Sequence, residues 1–304
     1  MSDTIPPTAR SIDHLILGVT NLESAEAAFA GPLGFSVCGG GVHPQFGTAN
    51  RLIVLETGYI ELISGRPGSA PPQGFIGAML RDDREGWVGY ALETADPAVA
   101  AHVLRERGFA VDGPDTGRLA TMNGYDRGWQ TVRLRAGAAH GMPFLIRHDQ
   151  SGQEHRRLLA GAEGLIPQPN GARSIASITI AVRDLSEAWD RYQRIFDLTE
   201  AGEEESDPML RARTRPLRLL SGTAVKLAAP LSPGDGPVAA ALAATGEGLF
   251  SVALGVDDLP GAVRALRGRG VGVRVDEPNG ILVAAQLHIR DTHGARISLV
   301  GIKG

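Results

Sequence analysis

Long apolar runs are missing from this 304-residue chain. Nowhere do about 18 consecutive apolar residues occur, so no helical membrane span is expected. The first ten residues hold Asp3 and two prolines but no apolar stretch, which predicts a short flexible lead-in rather than a secretion signal. Cysteine is nearly absent too. Cys38 stands alone, no internal disulfide can form, and a reducing, cytoplasmic setting is expected. Placed after Phe35, Ser36 and Val37, it reads as a small buried strand residue. No block of one charge appears: the net charge is −4 and the basic residues, nearly all arginine, are scattered, so there is no nucleic-acid footprint. A glycine-rich dinucleotide turn, a Gly-Lys-Ser/Thr phosphate loop and a Gly-x-Ser-x-Gly elbow are likewise missing, which weakens nucleotide and serine-hydrolase readings.

What is present is ordinary globular material, 43% hydrophobic and 21% charged, in a chain long enough for two domains. It is organised as a repeat. Four segments share an alternating strand, a short turn closed by Asn or Asp, and an amphipathic helix. They open at Ile12, Trp87, Ile175 and Leu249. The turn residues suit helix N-caps, and the glycines of Arg107-Gly108 and Arg269-Gly270 suit left-handed C-caps. Three strand-like runs follow each helix, in the first case 36–38, 52–55 and 59–63, and in the last 271–275, 284–290 and 296–300. The expected organisation is a first domain over 11–148 (modules 11–64 and 86–148) and a polar, Gly- and Pro-rich connection over 149–173. A second domain follows over 174–302 (modules 174–230 and 248–302).

The βαβββ repeat, the Asp13-His14-Leu15 opening and the closing Tyr59-Ile60-Glu61-Leu62-Ile63 resemble the glyoxalase, bleomycin-resistance and extradiol-dioxygenase superfamily, also called the vicinal-oxygen-chelate superfamily. More narrowly, residues 39–52, 143–146 and 169–172 resemble its glyoxalase-like domain subgroup. The resemblance implies an α+β fold. Four βαβββ modules would form two tandem, cup-shaped mixed sheets with helices outside, and the site would lie in the concavity. It also implies metal ligands on the opening and closing strands of each module. Carried over, these positions hold His14 and Glu61 in the first module but Gly89, with Leu145 nearby, in the second. His14 and Glu61 suit Zn, Fe, Ni, Mn or Co alike, and a metal-free site is equally tenable, because two ligands fall short of a firm set. His43 and His148 are the residues that could complete it. In the second domain the positions hold Ser177, Lys226, Ser251 and Ser298, so that domain reads as degenerate for metal chemistry.

Several residues gather around the expected site. Glu61, flanked by Ile60, Leu62 and Ile63, would be costly to bury without a metal, a cation or a proton, and as a base it would serve acid–base chemistry. His14 is a ligand or a hydrogen-bonded core histidine. The glycine-rich stretch 39–50 reads as a loop that admits a ligand to the main chain, with His43 as a titratable group and Asn50 and Arg51 as substrate-binding groups. For Asn50 the alternative is loop satisfaction, and for Arg51 a surface ion pair. Tyr59 shares the face of Glu61. Arg118 and Trp129 should border the same cup, Trp129 as an apolar wall or simply as core. The resemblance implies a lyase, isomerase or oxygenase acting on a small molecule with adjacent oxygens, in a monomer or homodimer. The alternative is a metal-free small-molecule binding protein.

Overall fold

Apolar residues at Ile12, Leu15 and Leu17 give a strand, and Asn21 then stops it and caps a helix by accepting from the Ser24 N–H at 2.8 Å. The computed structural model of the protein describes residues 8–68, 70–72, 74–80, 84–122, 124–135, 141–162 and 164–302. Most of the expected lead-in therefore lies outside the described residues. The first module comprises β1 (Ser11–Gly18), α1 (Leu22–Ala30), β2 (Cys38–His43), β3 (Thr48–Leu55) and β4 (Gly58–Gly65). After α2 (Gly74–Met79) the second comprises β5 (Gly86–Glu93), α3 (Pro97–Glu106), β6 (Val111–Ala120), β7 (Asp126–Leu134) and β8 (Phe144–His148). A further helix, α4 (Gly152–Ala160), leads to the third module: β9 (Ala172–Ala181), α5 (Leu185–Phe196), β10 (Thr199–Glu200), β11 (Glu205–Asp207), β12 (Ala212–Arg218) and β13 (Ala224–Pro230). Then come α6 (Gly236–Thr245) and the fourth module: β14 (Gly248–Val256), α7 (Leu259–Gly268), β15 (Val273–Asp276), β16 (Ala284–Leu287) and β17 (Ile297–Gly301). Asp96, Asp184 and Asp258 cap α3, α5 and α7 as the turns predict, and Gly108 and Gly270 adopt positive φ after α3 and α7.

Each pair of modules makes one curled sheet. The first has the order β2-β3-β4-β1-β5-β8-β7-β6, with β1 and β5 antiparallel at its centre, and the second repeats this as β10-β12-β13-β9-β14-β17-β16-β15. The four-module, two-cup α+β architecture is therefore present. The convex sides of both sheets share one apolar core. Leu15, Leu17, Tyr90 and Leu92 of the first unit join Ile178, Tyr192 and Leu254 of the second, and the buried Tyr90 and Tyr192 hydroxyls meet at 2.9 Å.

Two local expectations change. The stretch 39–50 is a β-hairpin, not an open loop: β2 and β3 pair on either side of a turn at 44–47. Gly40 sits at φ +80 in a register shift, and a Cβ there would lie 2.2 Å from the Asn50 carbonyl oxygen, so the glycine permits strand crossing rather than ligand approach. The segment 149–173 is not an open connection. Helix α4 packs on β2 and β3, and Leu159 and Ala160 bury Cys38, Leu52 and Tyr59 at one end of the first cup. In the second unit, Val238 and Leu242 of α6 pack with Ala181, Ala212, Ala228 and Phe250 at one end of the sheet.

Candidate active site

The concave face of the first sheet encloses a cavity of about 200 Å³. Side-chain alternation decides what lines it. From β1 comes His14, from β4 Tyr59, Glu61 and Ile63, from β7 Arg127, Trp129 and Thr131, and from β8 Phe144, Ile146 and His148. His43 enters from β2, Phe46 from the hairpin turn and Ile76 from α2. Ile16, Ile63, Ile76, Phe144 and Ile146 form one continuous apolar wall.

The floor is polar and ordered. Glu61 is buried, its Oε1 accepts from Asn50 Nδ2, and its Oε2 lies 3.6 Å from His14 Nε2. Asn50 is itself fully buried, and its Oδ1 accepts from the Gly41 N–H at 2.7 Å, which fixes its amide end toward Glu61. His14 stacks on the Tyr59 ring at 4.7 Å and meets Phe144 edge-on. Behind it stands Asp13, whose Oδ1 is 2.6 Å from His14 Nδ1 and 3.3 Å from His148 Nε2. Asp13 reaches this face because β1 carries a bulge there: the register against β5 jumps from Ile12 to His14.

These contacts set protonation. Burial alone would push the Asp13 carboxyl up, but the nearby charge of His148 and the hydrogen bonds from His14 and His148 together outweigh it and hold the carboxyl well below its ordinary value. An ionised carboxylate only accepts, so His14 presents its Nδ1–H to Asp13, and Nε2 is the ring nitrogen that faces Glu61. Burial, reinforced by Arg127 and opposed by Glu61, lowers the His43 pKa, and burial followed by the field of Asp13 raises that of Tyr59 well above its ordinary value.

His155, brought by α4, stacks on His148 at 3.8 Å, and burial followed by His148 lowers its pKa to about 2. In the unfolded chain it would titrate near its ordinary 6.5, so the unfolded state gains a proton that the folded state refuses between those values. Stability should therefore fall as pH drops below 6.5, by up to about 1.4 kcal/mol per pH unit from this group. Urea unfolding between pH 7 and 4.5 should show a shallower pH dependence for His155→Phe than for the unmutated chain. Equal slopes would contradict this assignment.

Of the sequence-predicted residues, His14, His43, Tyr59, Glu61 and Trp129 converge on the cavity, and Asn50 lies directly behind Glu61. Two arginines do not. Arg51 points to the helix side, where its Nε meets Glu26 at 2.9 Å. Arg118 is exposed and pairs with Asp126, because its neighbour Gly117 holds the cavity-facing position. Arg118→Ala should leave both Tm and ligand affinity unchanged; a loss of affinity would place it in the site after all. The second-module closing-strand position is Phe144 rather than Leu145. Glu61 pairs with Ile16, and the corresponding Ala91 pairs with Phe144, while Leu145 joins the convex core. Asp13 and Arg127 were not singled out by the sequence, although the three-residue step from Ile12 to Leu15 marks a bulge and Arg127 shares the parity of Trp129.

The metal positions of the superfamily are therefore His14 and Glu61, opposite Gly89 and Phe144. Among the described residues no group of three His, Cys, Asp or Glu could hold a metal ion. Asp13 holds His14 Nδ1 and Asn50 holds Glu61 Oε1, leaving two donors where a firm transition-metal site uses three or four. The residues present do not fit a metal centre.

Sequence comparison decides the lineage. The profile of the Glyoxalase-like domain matches residues 12–196, more than half of the chain. The chain belongs to the glyoxalase-like domain family. Residues 177–282 match the Glyoxalase/Bleomycin resistance protein/Dioxygenase superfamily, so both units of this glyoxalase-like protein carry the same ancestry. No functionally curated protein matches it in sequence. Among solved structures, a hypothetical protein from Staphylococcus aureus is 16% identical, with TM-score 0.68 over 96% of this chain and 99% of its own. A triple mutant of 4-hydroxymandelate synthase from Streptomyces coelicolor is also 16% identical, with TM-score 0.66 over 98% and 94%. Both likenesses concern the fold of the glyoxalase-like pair.

Proposed function

We propose that this glyoxalase-like protein is a small-molecule enzyme of the lyase or isomerase class, moving a proton at a carbon beside a carbonyl or hydroxyl. The carrying observation is the facing pair at the cavity floor, Glu61 Oε2 at 3.6 Å from His14 Nε2, backed by Asn50 and Asp13. Glu61 would act as the base, with its carboxylate oriented by Asn50. His14 would share or relay the proton, its tautomer fixed by Asp13. Ile16, Ile63, Ile76, Phe144 and Ile146 would keep water from the abstracted proton and from the charge that develops. His43, with its lowered pKa, would stand by as a neutral hydrogen-bonding group toward substrate oxygen. No step is routed through a metal, since only two donors are available.

The metal-free binding reading draws on the apolar wall and Trp129. The buried acid and histidines weigh against it, because burying such groups is costly and simple apolar capture does not require them. Solvent-deuterium incorporation, followed by NMR over a panel of 2-hydroxy and 2-oxo compounds, tests the proposal. At least one should exchange its carbon-bound proton with the unmutated chain, and His14→Phe, which keeps the stacking ring, should slow it. Stoichiometric binding of panel members with no exchange in any would overturn the catalytic reading in favour of sequestration.

A further inference from the structure

Arg127 is the one fully buried arginine among the described residues, at 5% exposure. Arg51, Arg107, Arg133, Arg173 and Arg191, all more exposed, each meet a carboxylate. No ion pair is made by Arg127 among the described residues, and its Nε is buried without a hydrogen-bond partner. Its guanidinium carbon lies 5.5 Å from the centre of the neutral Trp129 ring. The side chain lines the same cavity as Glu61, whose carboxylate is held by Asn50. A buried, unpaired cation is among the most costly groups a fold can hold, and it is aimed into the space a substrate would fill.

We infer that Arg127 is the seat of a substrate oxyanion, a carboxylate or a phosphate, held by the planar guanidinium fork. The apolar or aromatic body of the substrate lies along Trp129, Phe144 and Ile146. The substrate class is thus a small organic anion with an apolar portion, charged at one end. This rests on the proton-transfer reading only for the placement of the reacting carbon toward Glu61; the anion subsite stands on Arg127 itself.

Calorimetric titration with phenylacetate, phenyl phosphate and neutral phenylacetamide tests the inference in the unmutated chain and in Arg127→Met, Arg127→Lys and Glu61→Gln. At least one anion should bind about ten- to a hundredfold more tightly than the amide. Arg127→Met should abolish that preference, with a Tm at or above the starting value because an unpaired buried charge has gone. Arg127→Lys should keep part of it. Glu61→Gln should retain it even where proton exchange is lost, which separates failure of this subsite from failure of the proposed chemistry. A phosphate preferred over the carboxylate, or the reverse, names the oxyanion. Equal binding of the amide, no binding of any probe, a preference that survives Arg127→Met, or a lowered Tm in that variant would overturn the inference.

Discussion

Glu61→Gln should slow proton exchange by about 10²- to 10⁴-fold, the usual contribution of a positioned general base. The amide keeps the shape of the carboxylate, and its oxygen can still accept from Asn50 Nδ2, so the cavity should persist. Stability should hold or rise. The carboxylate is buried beside Ile60, Leu62 and Ile63, and its removal relieves a desolvated charge. A stability gain coupled to an activity loss marks a group kept for chemistry rather than for folding. NMR exchange rates and thermal melts on the same preparation check both halves. Exchange within twofold of the starting rate would move the base elsewhere.

Asp13→Asn should have the largest combined effect on fold and function. One buried carboxylate oxygen serves two imidazoles, His14 Nδ1 at 2.6 Å and His148 Nε2 at 3.3 Å. An amide in its place either offers both an uncharged oxygen, a weaker acceptor, or turns an N–H toward both. Breaking a buried charge cluster by removing one partner costs about 3–5 kcal/mol, which denaturant unfolding should register. The same change releases the His14 tautomer. In the serine-protease triad, the same aspartate-to-asparagine change costs about 10⁴ in rate by leaving the wrong tautomer, and a loss of that order is expected here. The depressed Asp13 pKa adds a direction: its stabilisation is present above the ordinary carboxylate range and disappears as pH falls through its lower folded value. Asp13→Asn should be less sensitive to acid than the unmutated chain.

The repeat made the fold legible. Four strands closed by Asn or Asp before helices, with glycine after two of the helices, are local signals that agree with one another and with the topology formed. Half of the site followed from parity: His14, Tyr59, Glu61 and Trp129 are all placed by counting in twos along strands whose apolar face is clear. Where the count slips, the assignments slip. Arg118 sits on a strand so polar, with exposed or half-exposed residues along most of its length, that no apolar face marks which side looks inward. Arg51 lies between Asn50 and Leu52, and only the position of Glu26 on the packed helix shows where its charge goes. Asp13 was hidden by a bulge, and a single extra residue reverses every inference drawn from alternation beyond it. Arg127 could have been found, since Val132 and Leu134 mark the core side of β7 and leave Arg127 with Trp129 on the other. The contribution of α4 is tertiary. Its polar composition reads as a connection until Leu159 is seen against Leu52 and Tyr59.

The central claim is that proton chemistry in this cup belongs to Glu61 and His14 and needs no metal. Measuring exchange rate and bound metal together, before and after exhaustive chelation and after adding back Zn, Mn, Ni, Co or Fe, tests it most directly. The account predicts a rate that does not change with metal content. A rate lost with the metal and restored by one of these ions would contradict it, and would make His14 and Glu61 ligands instead.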